Sequence, residues 1–211
     1  MRIRIKEFKR LLVESALIVF SVLFALFINR YAESQKLRQQ KQVALERIVQ
    51  EMKSNRELIA EALDIHKTAF RNLQQAATDE NDSLRIYMAK YKYFLDQKVF
   101  HHLLDGQTSF YPVFPVSTSW QTALATGIVS EFDYQVVEIL TEVYTTQEYF
   151  LEESLKATIE IISVPIEDES QTINTLLFPV NELVQQERKT IDAIDKALKL
   201  MCPEPDEGQS N

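Results

Sequence analysis

Apolar residues follow two main rhythms along this chain. From Leu11 to Ile28 they are almost unbroken: LLVESALIVFSVLFALFI is an 18-residue run whose one charge is Glu14. At 1.5 Å per residue, a helix over that run is roughly 27 Å long, close to the hydrocarbon thickness of a bilayer. From Tyr31 to Ala77 there is neither proline nor glycine. Leu45, Ile48, Met52, Ile59, Ala62, Ala69, Leu73 and Ala76 recur alternately three and four apart, with Asn55 and His66 filling the two gaps in the series. A second row, Val49, Leu63, Phe70 and Ala77, widens the stripe. A broad stripe predicts a helix packed in a bundle rather than a two-stranded coiled coil.

Punctuation divides the rest. Residues Thr78 to Asp82 (TDEND) form a turn, with Asp82 or Ser83 as N-cap. A second helix is expected from about Leu84 to Asp105, inward at Tyr87, Tyr91, Phe94, Leu95, Val99 and Leu103 and stopped by Gly106. Gln107 to Ser117 carries Phe110, Tyr111, Pro112, Phe114 and Pro115, so it reads as an apolar loop across one end of the bundle. Ser117 caps a short helix containing Trp120 that ends at Gly127. A long helix follows from about Phe132 to Ser163, inward at Val136, Val137, Leu140, Val143, Tyr144, Leu151, Leu155, Ile159 and Ile162. Pro165 and the acidic Glu167-Asp168-Glu169 interrupt it, and a last helix covers about Val180 to Met201. The expected architecture is all-α: one N-terminal transmembrane helix continuing into an antiparallel helical bundle of about four main helices. Its parts are a basic tail (1–10), the span (11–29), a stalk and first bundle helix (30–77), the remaining bundle (78–201) and a disordered tail (202–211).

Charge and composition sharpen this picture. Arg2, Arg4, Lys6, Lys9 and Arg10 precede the apolar run, and Asn29, Arg30 and Tyr31 close it. A cleaved signal peptide needs small residues soon after the run, and Phe27 to Arg30 does not supply them. A buried core helix would not carry basic ends and apolarity on every face. A membrane anchor fits both. Residues 1–56 hold twelve Lys/Arg against five Asp/Glu, whereas residues 131–169 hold eleven acids and one base, Lys156. Basicity beside a span reads as attraction to the membrane surface, and the acidic half would repel nucleic acid. With the basic tail inside, the domain faces the periplasm. Arg30, Lys36, Arg38, Lys41 and Arg47 nearly balance that tail, so the positive-inside rule decides by a small margin. Three glycines in the whole chain favour long helices over phosphate loops and hairpins, and a single cysteine, Cys202, rules out an intramolecular disulfide.

Glu14, fourteen residues, Asn29 and then Tyr31, with Ala25-Leu26 late in the span, resembles the N-terminal anchor of a family of bacterial single-span membrane proteins, a domain of unknown function. In that family an acid opens the span, an Ala-Leu pair lies late in it, and Asn-x-Trp closes it. This chain has Ser21 where the family tends to have glycine and Tyr31 where it has tryptophan, both physically mild changes. The stretch from Ser119-Trp120 to Gly127 resembles a second family segment, an aromatic residue followed by a small-residue turn ending in glycine. Together these cover about a fifth of the chain. The resemblance implies a bacterial inner-membrane location and this architecture, and brings no activity with it.

Candidate chemistry is sparse. His66, His101 and His102 lack the i, i+4 spacing of a helical metal site, and no Glu is followed three residues later by His. His66 lies on the core stripe and reads as a hydrogen-bonded core residue. Glu138/Glu142 and Glu148/Glu152 are i, i+4 acidic pairs on a solvated face. No nucleophile elbow, Walker loop or dinucleotide fingerprint occurs. Neither catalytic residue, cofactor nor metal is therefore expected. Glu14, Ser21, Asn29 and Tyr31 are candidate contacts to a partner helix, although Glu14 also fits snorkelling to the interface. Phe110, Tyr111, Phe114 and Trp120 are a candidate partner or ligand patch, or rings that plug the bundle end. The leading expectation is a non-enzymatic anchored module that binds a protein partner or its own copies, with no nucleic acid. An envelope ligand sensor working through a membrane partner comes next. A membrane-bound enzyme comes last, since it would need a polar cavity with buried acids.

Overall fold

The computed structural model describes residues 2–91, 93, 96–107, 110 and 112–202, with side chains from residue 12 onward. The protein is all-α. Among the described residues the sole extended pairing is an isolated antiparallel bridge between Tyr93 and Pro165. The chain divides into two units, residues 1–46 and 47–211.

Helix α1 (Arg2–Thr78) supplies all of the described part of the first unit and the opening helix of the second. In the first unit, every described side chain of the apolar run is exposed, the large hydrophobic ones from Ile28 at 51% to Phe27 at 67%. The run is long and apolar enough to cross a membrane.

In the second unit the stripe is the core. Ile48, Met52, Ile59, Ala62, Ala69, Leu73 and Ala76 are fully buried, and so are the two polar residues in its gaps, Asn55 and His66. After the turn, Asp82 caps α2 (Ser83–Lys90) by accepting from Leu84 N at 2.8 Å. The single helix expected to Asp105 is in fact two. Tyr91 takes an extended conformation, and Asp96 caps α3 (Gln97–Leu103) by accepting from Lys98 N at 2.9 Å. An internal Asp that can cap competes with helix continuation. Phe94 and Leu95 lie outside the described residues. Past α3 the chain reverses at Asp105 (φ 49°) and Gly106 (φ 90°). Asp105 tolerates the left-handed conformation with its carboxylate held by Asn72 and Arg71.

Helix α4 (Thr118–Ala125) ends at Gly127, whose φ of 73° suits glycine, and a 3₁₀ turn (Ile128–Glu131) follows. The long helix then forms as α5 (Tyr134–Thr145), a π-helical turn (Thr146–Leu151) and α6 (Glu152–Ile162). Helix α7 (Glu169–Met201) begins eleven residues before the expected Val180 and carries Pro179 inside it. The Asp168 cap on Gln171 N, buried Ile173 and Leu176, and the Arg85–Ser170 hydrogen bond hold the turns before the proline. Tertiary packing overrides a proline's local preference there. The tail expected to be disordered lies outside the described residues beyond Cys202.

Cross-links set the directions. Arg56 pairs with Asp195 and His66 with Glu187, so α1 and α7 are antiparallel. Glu142 pairs with Lys196, and Thr158 hydrogen-bonds the Pro179 carbonyl, so α7 is also antiparallel to α5–α6.

Candidate functional site

One face of α1 carries a ladder of polar side chains that tie it to the other elements. Glu51 accepts from Ser119 N at 2.7 Å and from the Tyr144 hydroxyl at 2.7 Å. It thereby caps α4, a role expected of Ser117, whose hydroxyl instead accepts from Gln121. Burial, followed by the neighbouring Glu51 carboxylate, pushes the Tyr144 phenol well above its usual range, so Tyr144 stays a donor. Trp120 stacks on Tyr144 with ring centroids 5.5 Å apart and planes 2° from parallel.

One turn on, Asn55 donates to the Val116 carbonyl at 2.7 Å and accepts from Val116 N at 2.9 Å. A buried amide thus pairs with both backbone groups of one residue in the aromatic segment, as a strand neighbour would. Asn55→Ala is expected to cost about 1–3 kcal/mol, because two backbone groups are stranded. A lower urea midpoint at unchanged slope is the measurement that checks it.

Deeper in the core, His66 Nδ1 lies 2.6 Å from Glu187 Oε1, with the two side chains 0% and 3% exposed. The His66 ring packs on Phe110, centroids 4.3 Å apart. Among the described residues, His66 Nε2 and Glu187 Oε2 have no hydrogen-bond partner, and neither do the two polar atoms of the Gln147 side chain. Gln147 is 3% exposed and sits on the π turn, a feature that recurs at functional sites. Burial raises the Glu187 carboxyl above the usual range, partly offset by His66 and Lys67.

The sequence candidates are distributed rather than gathered. Phe110 and Trp120 are both buried, each against a different partner, while Phe114 is 51% exposed. Tyr111 lies outside the described residues. Glu14, Ser21, Asn29 and Tyr31 are all exposed along α1, and the Ser21 hydroxyl donates to the Leu17 carbonyl at 2.8 Å, within its own helix. His101 and His102 line a polar cleft with Asn72, Asp82 and Asp105. Among the described residues, no three His, Cys, Asp or Glu side chains are grouped as metal ligands.

Sequence reasoning passed over Glu187, Gln147 and Glu51. A signal for the first existed: Val180, Val184, Glu187, Ile191 and Ile194 continue the α7 stripe at helical spacing, so Glu187 occupies a core slot. Gln147 does the same between Tyr144 and Leu151. Comparison with protein-family models, with curated proteins and with solved structures found no match to this chain.

Proposed function

We propose that this is a single-span protein of the bacterial cytoplasmic membrane whose helical domain works by non-enzymatic association with a protein partner or with its own copies. The observation that carries the membrane part is the wholly exposed apolar run in α1. A continuous apolar surface of that size is untenable in water, and lipid is the cover that suits its length. The domain's polar ladder supports association over chemistry, since its groups bind helices to one another. Glu187 is the buried acid an enzyme would need, yet at 2% exposure it cannot reach a substrate. The basic tail supports a periplasmic domain on this reading, by a small margin over the basic residues after the span.

Two measurements test it. The chain should stay in membranes washed with alkaline carbonate, and exposed Cys202, the one thiol, should react with an impermeant maleimide in intact cells. Release by carbonate removes the anchor, and labelling only after lysis moves the domain to the cytoplasm. Photo-cross-linkers placed at Phe114 and Tyr31 should then yield a discrete adduct, whereas monomer alone from both would count against association. A second reading, a sensing bundle, is favoured by the buried His66–Glu187 pair beneath Phe110.

A further inference from the structure

We propose that His66 and Glu187 form a proton-binding site that clamps α1 to α7 and seats Phe110, so that the bundle loosens when the pair loses its one shared proton or takes up a second. This deepens the sensing reading by naming its ligand as the proton.

The geometry sets the condition. An imidazole and a carboxylic group 2.6 Å apart in a buried core are neutral as a pair when they hold one proton between them, whichever atom carries it. Remove it, and the core keeps a carboxylate that is only 3% exposed to water. Add a second, and an imidazolium lies against the Phe110 ring with its acid partner neutralised. Either change leaves a net charge where burial penalises it.

Little else nearby can neutralise that charge. One turn away on α1 stand Ala62, Leu63, Ala69 and Phe70, and on α7 Leu183, Val184, Thr190 and Ile191, all uncharged. The buried residues of the π turn and α6 are Gln147, Leu151, Leu155, Thr158 and Ile162, and the aromatic segment offers Phe110. The remaining charge that bears on Glu187 is Lys67, which is 40% exposed and paired with Asp64. Burial lifting the Glu187 carboxyl agrees with a site that holds its proton.

Linkage gives the sign. In the unfolded chain histidine titrates near about 6.5 and glutamate near about 4.3. Between those values folded and unfolded states each hold one proton, so stability is flat. Above about 6.5 the unfolded pair has lost its proton and the folded pair keeps it, so stability falls as pH rises. Below about 4.3 the unfolded pair holds two, so stability falls as pH drops.

The test is hydrogen exchange of the core amides of α1 and α7 in the full chain in detergent micelles, from pH 4 to 9, corrected for intrinsic exchange. In the wild type the opening constant should be level from about 4.5 to 6.5, then rise up to tenfold per pH unit. Glu187→Gln keeps the hydrogen bond but cannot titrate. Its rise above 6.5 should vanish, and a new one should appear as pH falls below 6.5, where only the unfolded histidine gains a proton. If that variant fails to fold, His66→Asn serves: its opening should rise from about pH 4.3 upward, without the plateau. A wild-type profile matching Glu187→Gln, or parallel to His66→Asn, overturns the proposal. The readout uses the isolated chain, so a missing membrane partner would sink the association reading without touching this one.

Discussion

His66→Leu is expected to destabilise the domain by about 3–5 kcal/mol, and the double variant His66→Leu/Glu187→Leu to recover most of that loss. The asymmetry follows from what each change leaves behind. Removing the imidazole alone strands a 2%-exposed carboxyl in the core without its His66 partner, and breaking a buried pair typically costs about 3–5 kcal/mol. Removing both partners replaces two polar groups, already short of hydrogen bonds, with side chains that suit the Leu and Val around them. Such exchanges are neutral or stabilising in several systems. Urea unfolding of the four members of the cycle in the same detergent decides it. If the double variant is as unstable as the sum of the singles, the pair is not an interacting unit.

The second large effect concerns Trp120. Trp120→Ala should cost about 3–5 kcal/mol, the range for truncating a buried large aromatic. The ring is 7% exposed and stacks on Tyr144, whose hydroxyl is held by Glu51, which also caps α4. The loss should therefore spread along one chain of contacts from α4 through α5 to α1. Near-ultraviolet circular dichroism will show it as lost tyrosine asymmetry, since this chain has a single tryptophan. Trp120→Phe keeps most of the area and should lose much less. Equal loss in the two variants would mean that the ring's stacking and volume are not what matters at this position.

Both effects rest on residues that differ in how plainly the sequence announced them. The α1 core was legible because its three-and-four spacing persists over more than thirty residues, and the polar interruptions at Asn55 and His66 stood out against it. Their partners were not, because Val116 and Glu187 lie 61 and 121 residues away and no local pattern encodes such a pairing. Trp120 stands out by its type and by the family-like segment it opens, but its burial against Tyr144 depends on how α4 folds back. The early start of α7 was hidden by Pro179, whose local preference is overruled by Ile173 and Leu176 in the core. The break at Tyr91 was hidden by the opposite error: an apolar rhythm continued across a point where Asp96 can start a new helix. Gln147 and Glu187 sit at core positions of their helices, but a lone polar residue at such a position does not by itself show that it is buried.

The polar ladder on α1 also has a consequence in time. Glu51, Asn55, Arg56 and His66 all lie on α1, which is made before α7, and Glu187 is added 121 residues after His66. At about 5–20 residues per second, a ribosome needs roughly 6–24 s to cover that distance. Val116, Ser119 and Tyr144 reach Asn55 and Glu51 earlier in that interval, but Arg56 and His66 wait through it for their partners on α7. Nascent chains of this protein are thus predicted to need shielding during synthesis, and the domain can close only after α7 has emerged.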